Sequence, residues 1–119
     1  MHASSIALWL AAACGALQAQ SYEVLFEQAA KLSARGDYTG AIAKYEAALD
    51  LRPGAVEALS NVGVMYYMNR RYREAADVMR KVLESRGGSF PAQLLLGLSL
   101  VRLEKGQDNS SLFFAFSGV

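Results

Sequence analysis

Displaced by 34 residues, the sequence falls onto itself: Ala41 meets Ala75, Tyr38 meets Tyr72, Leu25 meets Leu59, Leu49 meets Leu83 and Glu23 meets Glu57. A second step carries Ala58 to Ala92, Val62 to Leu96, Gly63 to Gly97 and Tyr66 to the apolar Leu100. A period kept by small and large residues alike marks stacked repeats, not one irregular core. Each unit cannot bury its apolar face alone and must stack on a neighbour. Such arrays offer extended surfaces, which suit binding better than chemistry.

Inside each period the apolar spacing is helical. Tyr22 to Ala34 carries Leu25, Ala29 and Leu32 on one stripe, and Arg35-Gly36 stops it. Asp37 is placed to cap a helix running to about Leu51, with Ala41, Ile42, Tyr45, Ala48 and Leu49 inward. Pro53-Gly54 then turns the chain. The second period repeats this design. Val56 to Met68 holds Leu59, Val62, Gly63 and Tyr66; Asn69 to Arg71 form the turn; Tyr72 to Ser85 holds Ala75, Ala76, Met79, Val82 and Leu83.

Gly87-Gly88 ends that helix, with Ser89 as a cap for the next and Pro91 in its first turn, where its missing N–H costs nothing. The predicted fifth helix runs from Pro91 to Leu103 with Leu96, Gly97 and Leu100 inward. After Glu104 the period fails. Lys105 to Asn109 reads as a turn, and residues 104–119 as an irregular apolar tail containing Leu112, Phe113, Phe114 and Phe116. Solenoids usually close with a polar element. An uncapped apolar end offers a contact to a second copy, or marks a piece of a longer array.

These residues resemble the tetratricopeptide repeat family, a helix–turn–helix unit with a small residue at the helix crossing and an aromatic in the second helix. The first repeat supplies Leu25, Ala29, Leu32, Ala41, Tyr45, Ala48 and Pro53. The second supplies Leu59, Val62-Gly63, Tyr66, Ala75 and Met79, with Gly87 in place of the closing Pro. The third supplies only Leu96-Gly97 and Leu100. The resemblance divides the repeat domain, residues 22–103, into repeats 22–55 and 56–89 and a partial one at 90–103. It implies an all-α fold, a right-handed α-solenoid of antiparallel helix pairs. Gly63 and Gly97 would mark close helix crossings, opposite Ala41 and Ala75.

In this family a partner peptide lies along the concave surface made by the first helix of each unit. The positions implied to face it are Phe26 and Ala30, with Ser33, in the first repeat. The second gives Ser60, Asn61, Val64, Tyr67 and Met68, and the third Leu94, Leu98 and Val101. Tyr67 and Phe26 suit an anchoring role, since rigid aromatics make interface hot spots. A family variant grips a C-terminal carboxylate with Lys, Asn and Arg. Its places here hold Phe26, Ala30, Asn61, Pro91 and Leu95, so only Asn61 matches and chaperone tails are not the expected ligand.

Other function classes find little support. The net charge of +1 gives no reason to expect a polyanion. Arg70, Arg71, Arg73, Arg80 and Lys81 alternate with Glu74, Asp77 and Glu84, as a solvated face does, with Arg70–Glu74 and Asp77–Lys81 spaced for i,i+4 pairs. No nucleic-acid partner is expected. Beyond residue 19 the chain has no His and no Cys, so the commonest general base, metal ligand and thiol nucleophile are missing there. No enzyme activity, cofactor or metal is expected.

The first charged residue is Glu23. Before it, the run Ile6 to Ala13 is too short to span a bilayer, and Leu17-Gln18-Ala19 suits signal-peptide cleavage. Residues 1–19 therefore read as an export leader, placing the mature chain in the periplasm or outside the cell. Cys14 follows Leu10-Ala11-Ala12-Ala13, which resembles a lipoprotein lipobox with Ala11 where Leu is preferred. Lipid anchoring at Cys14 and an uncleaved, membrane-associated leader are the alternatives. Otherwise no membrane contact is expected after processing.

Overall fold

Five consecutive helices make up the described part of the chain. The computed structural model describes residues 21–117 as backbone and residues 21–106 with side chains. The helices are α1 (21–34), α2 (Tyr38–Leu51), α3 (Val56–Met68), α4 (Tyr72–Ser85) and α5 (Phe90–Ser117). Each packs on the next, and α3 also touches α5, as expected for an all-α stack of antiparallel pairs. The expected leader with Cys14 lies outside the described residues, and so do the side chains of Leu112 to Phe116.

The boundaries follow local chemistry. Asp37 Oδ1 accepts the Gly40 N–H at 2.9 Å and caps α2. At the end of α1, the Asp37 N–H bonds Leu32 O at 2.9 Å around Gly36, whose φ is +78°. One period later the Arg71 N–H bonds Tyr66 O at 2.8 Å around Arg70, whose φ is +63°. Both are the left-handed stop in which a N–H reaches back five residues to an orphan carbonyl. The second uses an arginine where glycine would be unstrained.

The core runs between the helices. Ala29, Ala41, Ile42, Tyr45, Ala58, Val62, Met65, Tyr66 and Ala75 form one buried cluster. Leu59, Met79, Val82 and Ala92 continue it toward α5. Small residues set the close crossings. A Cβ on Gly63 would overlap the Met79 methyl and come within 2.9 Å of Val78 Cγ2, so α3 and α4 approach over bare backbone.

The third unit departs from expectation in two ways. Helix α5 does not stop near Leu103; it continues through the expected turn and tail to Ser117. The earlier turns centre on Gly36 and Arg70, and the equivalent position is Glu104, followed by Lys105. No residue suited to a left-handed stop or a side-chain cap stands there, and Gly106 keeps a φ outside the left-handed region. A lone glycine costs a helix roughly 1 kcal/mol, too little to end it.

The expected inward stripe of α5 is also corrected. Leu96 is half-buried, but Gly97 and Leu100 are exposed; Ala92 and Ser99 are the buried residues. Nothing lies within 4 Å of a Cβ built on Gly97. The reason is that no element among the described residues covers this face. An open hollow of about 470 Å³ between α4 and α5, lined by Ala76, Leu100 and Leu103 among others, lies against it.

Candidate functional site

The first helices of the second and third units, α3 and α5, bring register-matched residues to one side. Ser60 of α3 matches Leu94 of α5, Val64 matches Leu98, and Met68 matches Arg102, each 34 residues apart. Because α3 and α5 lie side by side in one orientation, these residues face one trough.

Its upper part is apolar. Ser60, Val64, Leu94 and Leu98 line a hollow of about 210 Å³, with Pro91, Ala92 and Leu95 along one wall, Ser89 at the rim and Met79 beneath. Val64 is 42%, Leu94 50% and Leu98 42% exposed, so apolar surface faces solvent with no covering element among the described residues.

One turn further along α3 and α5, a second cleft of about 640 Å³ is lined by Tyr67, Met68, Arg70, Tyr72, Arg102, Lys105 and Gly106. Six of the eleven expected groove residues therefore line the two hollows. Val101 is exposed beside them but lines neither.

The remaining four stand elsewhere, and of these Ser33 is half-buried on α1 and lines neither hollow. Phe26 is half-buried and meets Tyr45 edge-on at 5.5 Å, so its ring helps hold α1 on α2. Asn61 Nδ2 donates to Tyr45 Oη at 3.4 Å, tying α3 to the preceding unit. Ala30 is exposed on α1 and lines neither hollow. Tyr67 lines the cleft but rests edge-on against Tyr72 at 5.3 Å, half-buried, so part of its surface is committed to packing.

The anticipated surface ion pairs form with shifted partners. Glu74 pairs with Arg71, not Arg70, and Asp77 pairs with Arg80 at 3.2 Å, not Lys81. Arg70 is held in the left-handed turn ahead of α4, which sends its side chain to the cleft. Arg71 also lies 4.8 Å over the Tyr66 ring and 3.9 Å from Glu46. Tyr66 Oη donates to Glu46 Oε1 at 2.6 Å, and burial, reinforced by that carboxylate, pushes the Tyr66 phenol well above its ordinary range. Burial raises the Tyr45 phenol too. These groups fasten α2, α3 and α4 and lie outside the trough.

Arg102, Lys105 and Tyr72 were missed as groove residues. The 34-residue shift from Met68 to Arg102 was the available signal. Tyr72 reads as core from its match to Tyr38, yet it is half-buried and reaches the cleft.

No curated protein matches the chain significantly. The sequence profile of the tetratricopeptide repeat matches residues 26–92, more than half of the chain. That stretch contains the paired turns at Gly36 and Arg70 and the close crossing at Gly63. Profile and geometry agree, and the chain belongs to the tetratricopeptide repeat family.

Proposed function

We propose that the chain is a non-catalytic binding module that holds an extended peptide or protein segment in the trough between α3 and α5. Tetratricopeptide repeats generally mediate protein–protein interactions, on a fold that is generally non-catalytic. The observation that carries the reading is the apolar hollow. Leu94 and Leu98 match Ser60 and Val64 in register, stay exposed, and enclose space of side-chain size. Leaving such surface in water costs roughly 25 cal/mol per Å², which a bound apolar side chain would recover. The expected mature form is exported, and no cofactor enters the reading.

The test selects peptides from a random display library on the full chain, then compares variants. Leu98→Asp should abolish capture while leaving the helical circular dichroism unchanged. Leu51→Asp, at an exposed apolar residue on α2, should leave capture intact. Equal affinity for wild type and Leu98→Asp would remove the assignment.

The bare face of α5 supports a second reading, self-association. Gly97 and Leu100 are exposed where their equivalents Gly63 and Tyr66 are buried. A second copy covering that face would make mass rise with concentration in light scattering, and Leu100→Asp would suppress the rise. A constant monomer mass dismisses this reading and leaves the trough untouched.

A further inference from the structure

We infer that the wide cleft below the apolar hollow is a carboxylate site: it takes an Asp or Glu side chain of the same extended peptide whose apolar residue fills the hollow. The inference rests on the trough reading and names the partner's chemistry.

Three cations converge on the cleft from separate segments. Arg70 comes from the turn after α3, and Arg102 and Lys105 come from successive turns of α5. Among the described residues, no acidic one lines it. Elsewhere on the surface, Lys31, Arg52, Arg71 and Arg80 each sit against a carboxylate, while Arg35, Lys44, Arg73, Lys81 and Arg86 form no ion pair among the described residues; what sets the cleft apart is that its cations converge. Arg70, Arg102 and Lys105 have no such partner among the described residues. An intramolecular acid would have been an inexpensive surface pair. With none among the described residues, positive potential concentrates in a concave site, where field lines focus.

Geometry favours a carboxylate on an extended chain over a free ion or a polyanion. The cleft and the apolar hollow share no lining residue, but they follow one another along the same two helices: Met68 stands one turn beyond Val64 on α3, and Arg102 one turn beyond Leu98 on α5. One peptide can therefore put an apolar residue against Leu94 and Leu98 and an acidic one near Arg102. Two arginines supply planar forks that match a carboxylate bidentately. The Tyr67–Tyr72 pair makes a rigid wall without further charge. Nucleic acid would need stacking platforms along a cationic track. Here the ring pair is packed edge to face, and the track ends at an apolar hollow.

The test uses display-selected peptides, each also made with its Asp and Glu residues changed to Asn and Gln, and a single-stranded oligonucleotide as a second probe. The protein variants are Arg102→Gln with Lys105→Gln, and separately Leu98→Asp, all checked for folding by circular dichroism. The expected result is a loss of about tenfold or more in affinity on the double change, an equal loss when the peptide acids are neutralised, and weaker wild-type binding at high salt. The two losses should not add when combined, because they remove the same contact. Peptides lost with Leu98→Asp but indifferent to Arg102→Gln/Lys105→Gln overturn the carboxylate site and leave the trough standing. Peptides sensitive to the double change but not to Leu98→Asp support the site and remove the trough. Oligonucleotide binding that needs both cations, with acidic peptides failing to bind, overturns the site in favour of phosphate.

Discussion

The Met79 methyl occupies the space that a Cβ on Gly63 would need, and this contact fixes how closely α3 and α4 cross. One period along, Gly97 has no such neighbour. The same residue type at the same register position therefore does different work in the two units.

The pair makes opposite predictions. Gly63→Ala forces Met79 and Val78 aside, and overpacking of that kind costs roughly 1–3 kcal/mol, partly offset by better helix propensity. A net loss of about 1 kcal/mol is expected. Gly97→Ala meets only open space and should gain about 0.5–1 kcal/mol. Equilibrium urea denaturation, at dilution where the chain is monomeric, compares the two. Losses at both positions would show that Gly97 is covered like Gly63, and gains at both would show that the Gly63 crossing is not tight.

Arg70 and Gly36 sit in the same left-handed stop. A side chain there costs roughly 1–2 kcal/mol, so Arg70→Gly should raise stability by about 1 kcal/mol. Gly36→Ala should lower it by a similar amount, about 1 kcal/mol. Arg70→Gly also removes one cation from the cleft. It should stabilise the fold and weaken acidic peptides together, a combination that simple destabilisation cannot produce.

Much of the fold could be read in the chain because its punctuation is local. Asp37 caps α2, Pro53-Gly54 turns it, and the apolar stripes of Val56–Met68 and Tyr72–Ser85 have unbroken helical spacing. The run-on of α5 was less accessible. Lys105 to Asn109 has turn-like composition, but what stops these helices is a left-handed residue at one register position, and Glu104 does not supply it. The burial of Gly97 and Leu100 failed as an expectation for a tertiary reason, since a helix face is buried only when another element covers it. In the trough, repeat register found the apolar residues. It missed Arg102 and Lys105, because the cleft combines α5 with a turn whose arginine is aimed by its backbone, not by its helix face.

Tyr66 predicts an alkaline limit to stability. Its phenol is raised above the ordinary value near 10, first by burial and then by Glu46, so the folded chain keeps a proton that the unfolded chain releases. Its stabilising contribution is complete below about pH 10 and declines as pH rises from there toward the higher folded value. Tyr66→Phe should lose about 1 kcal/mol at neutral pH with the hydrogen bond to Glu46, and should fall less steeply above pH 10. Denaturation midpoints across the alkaline range test this. Parallel slopes for Tyr66→Phe and wild type would contradict it. Tyr45 is shifted the same way, so the Tyr45→Phe/Tyr66→Phe chain should be flatter still.

The central claim is that α3 and α5 present register-matched faces to one bound peptide. The most direct measurement is the change in backbone amide chemical shifts when a display-selected peptide is titrated into the isotope-labelled chain. Saturable shifts concentrated at Ser60, Val64, Met68, Leu94, Leu98 and Arg102 are expected. Shifts confined to α2 and α4, at Lys44, Arg73 and Lys81 with the trough silent, would contradict it.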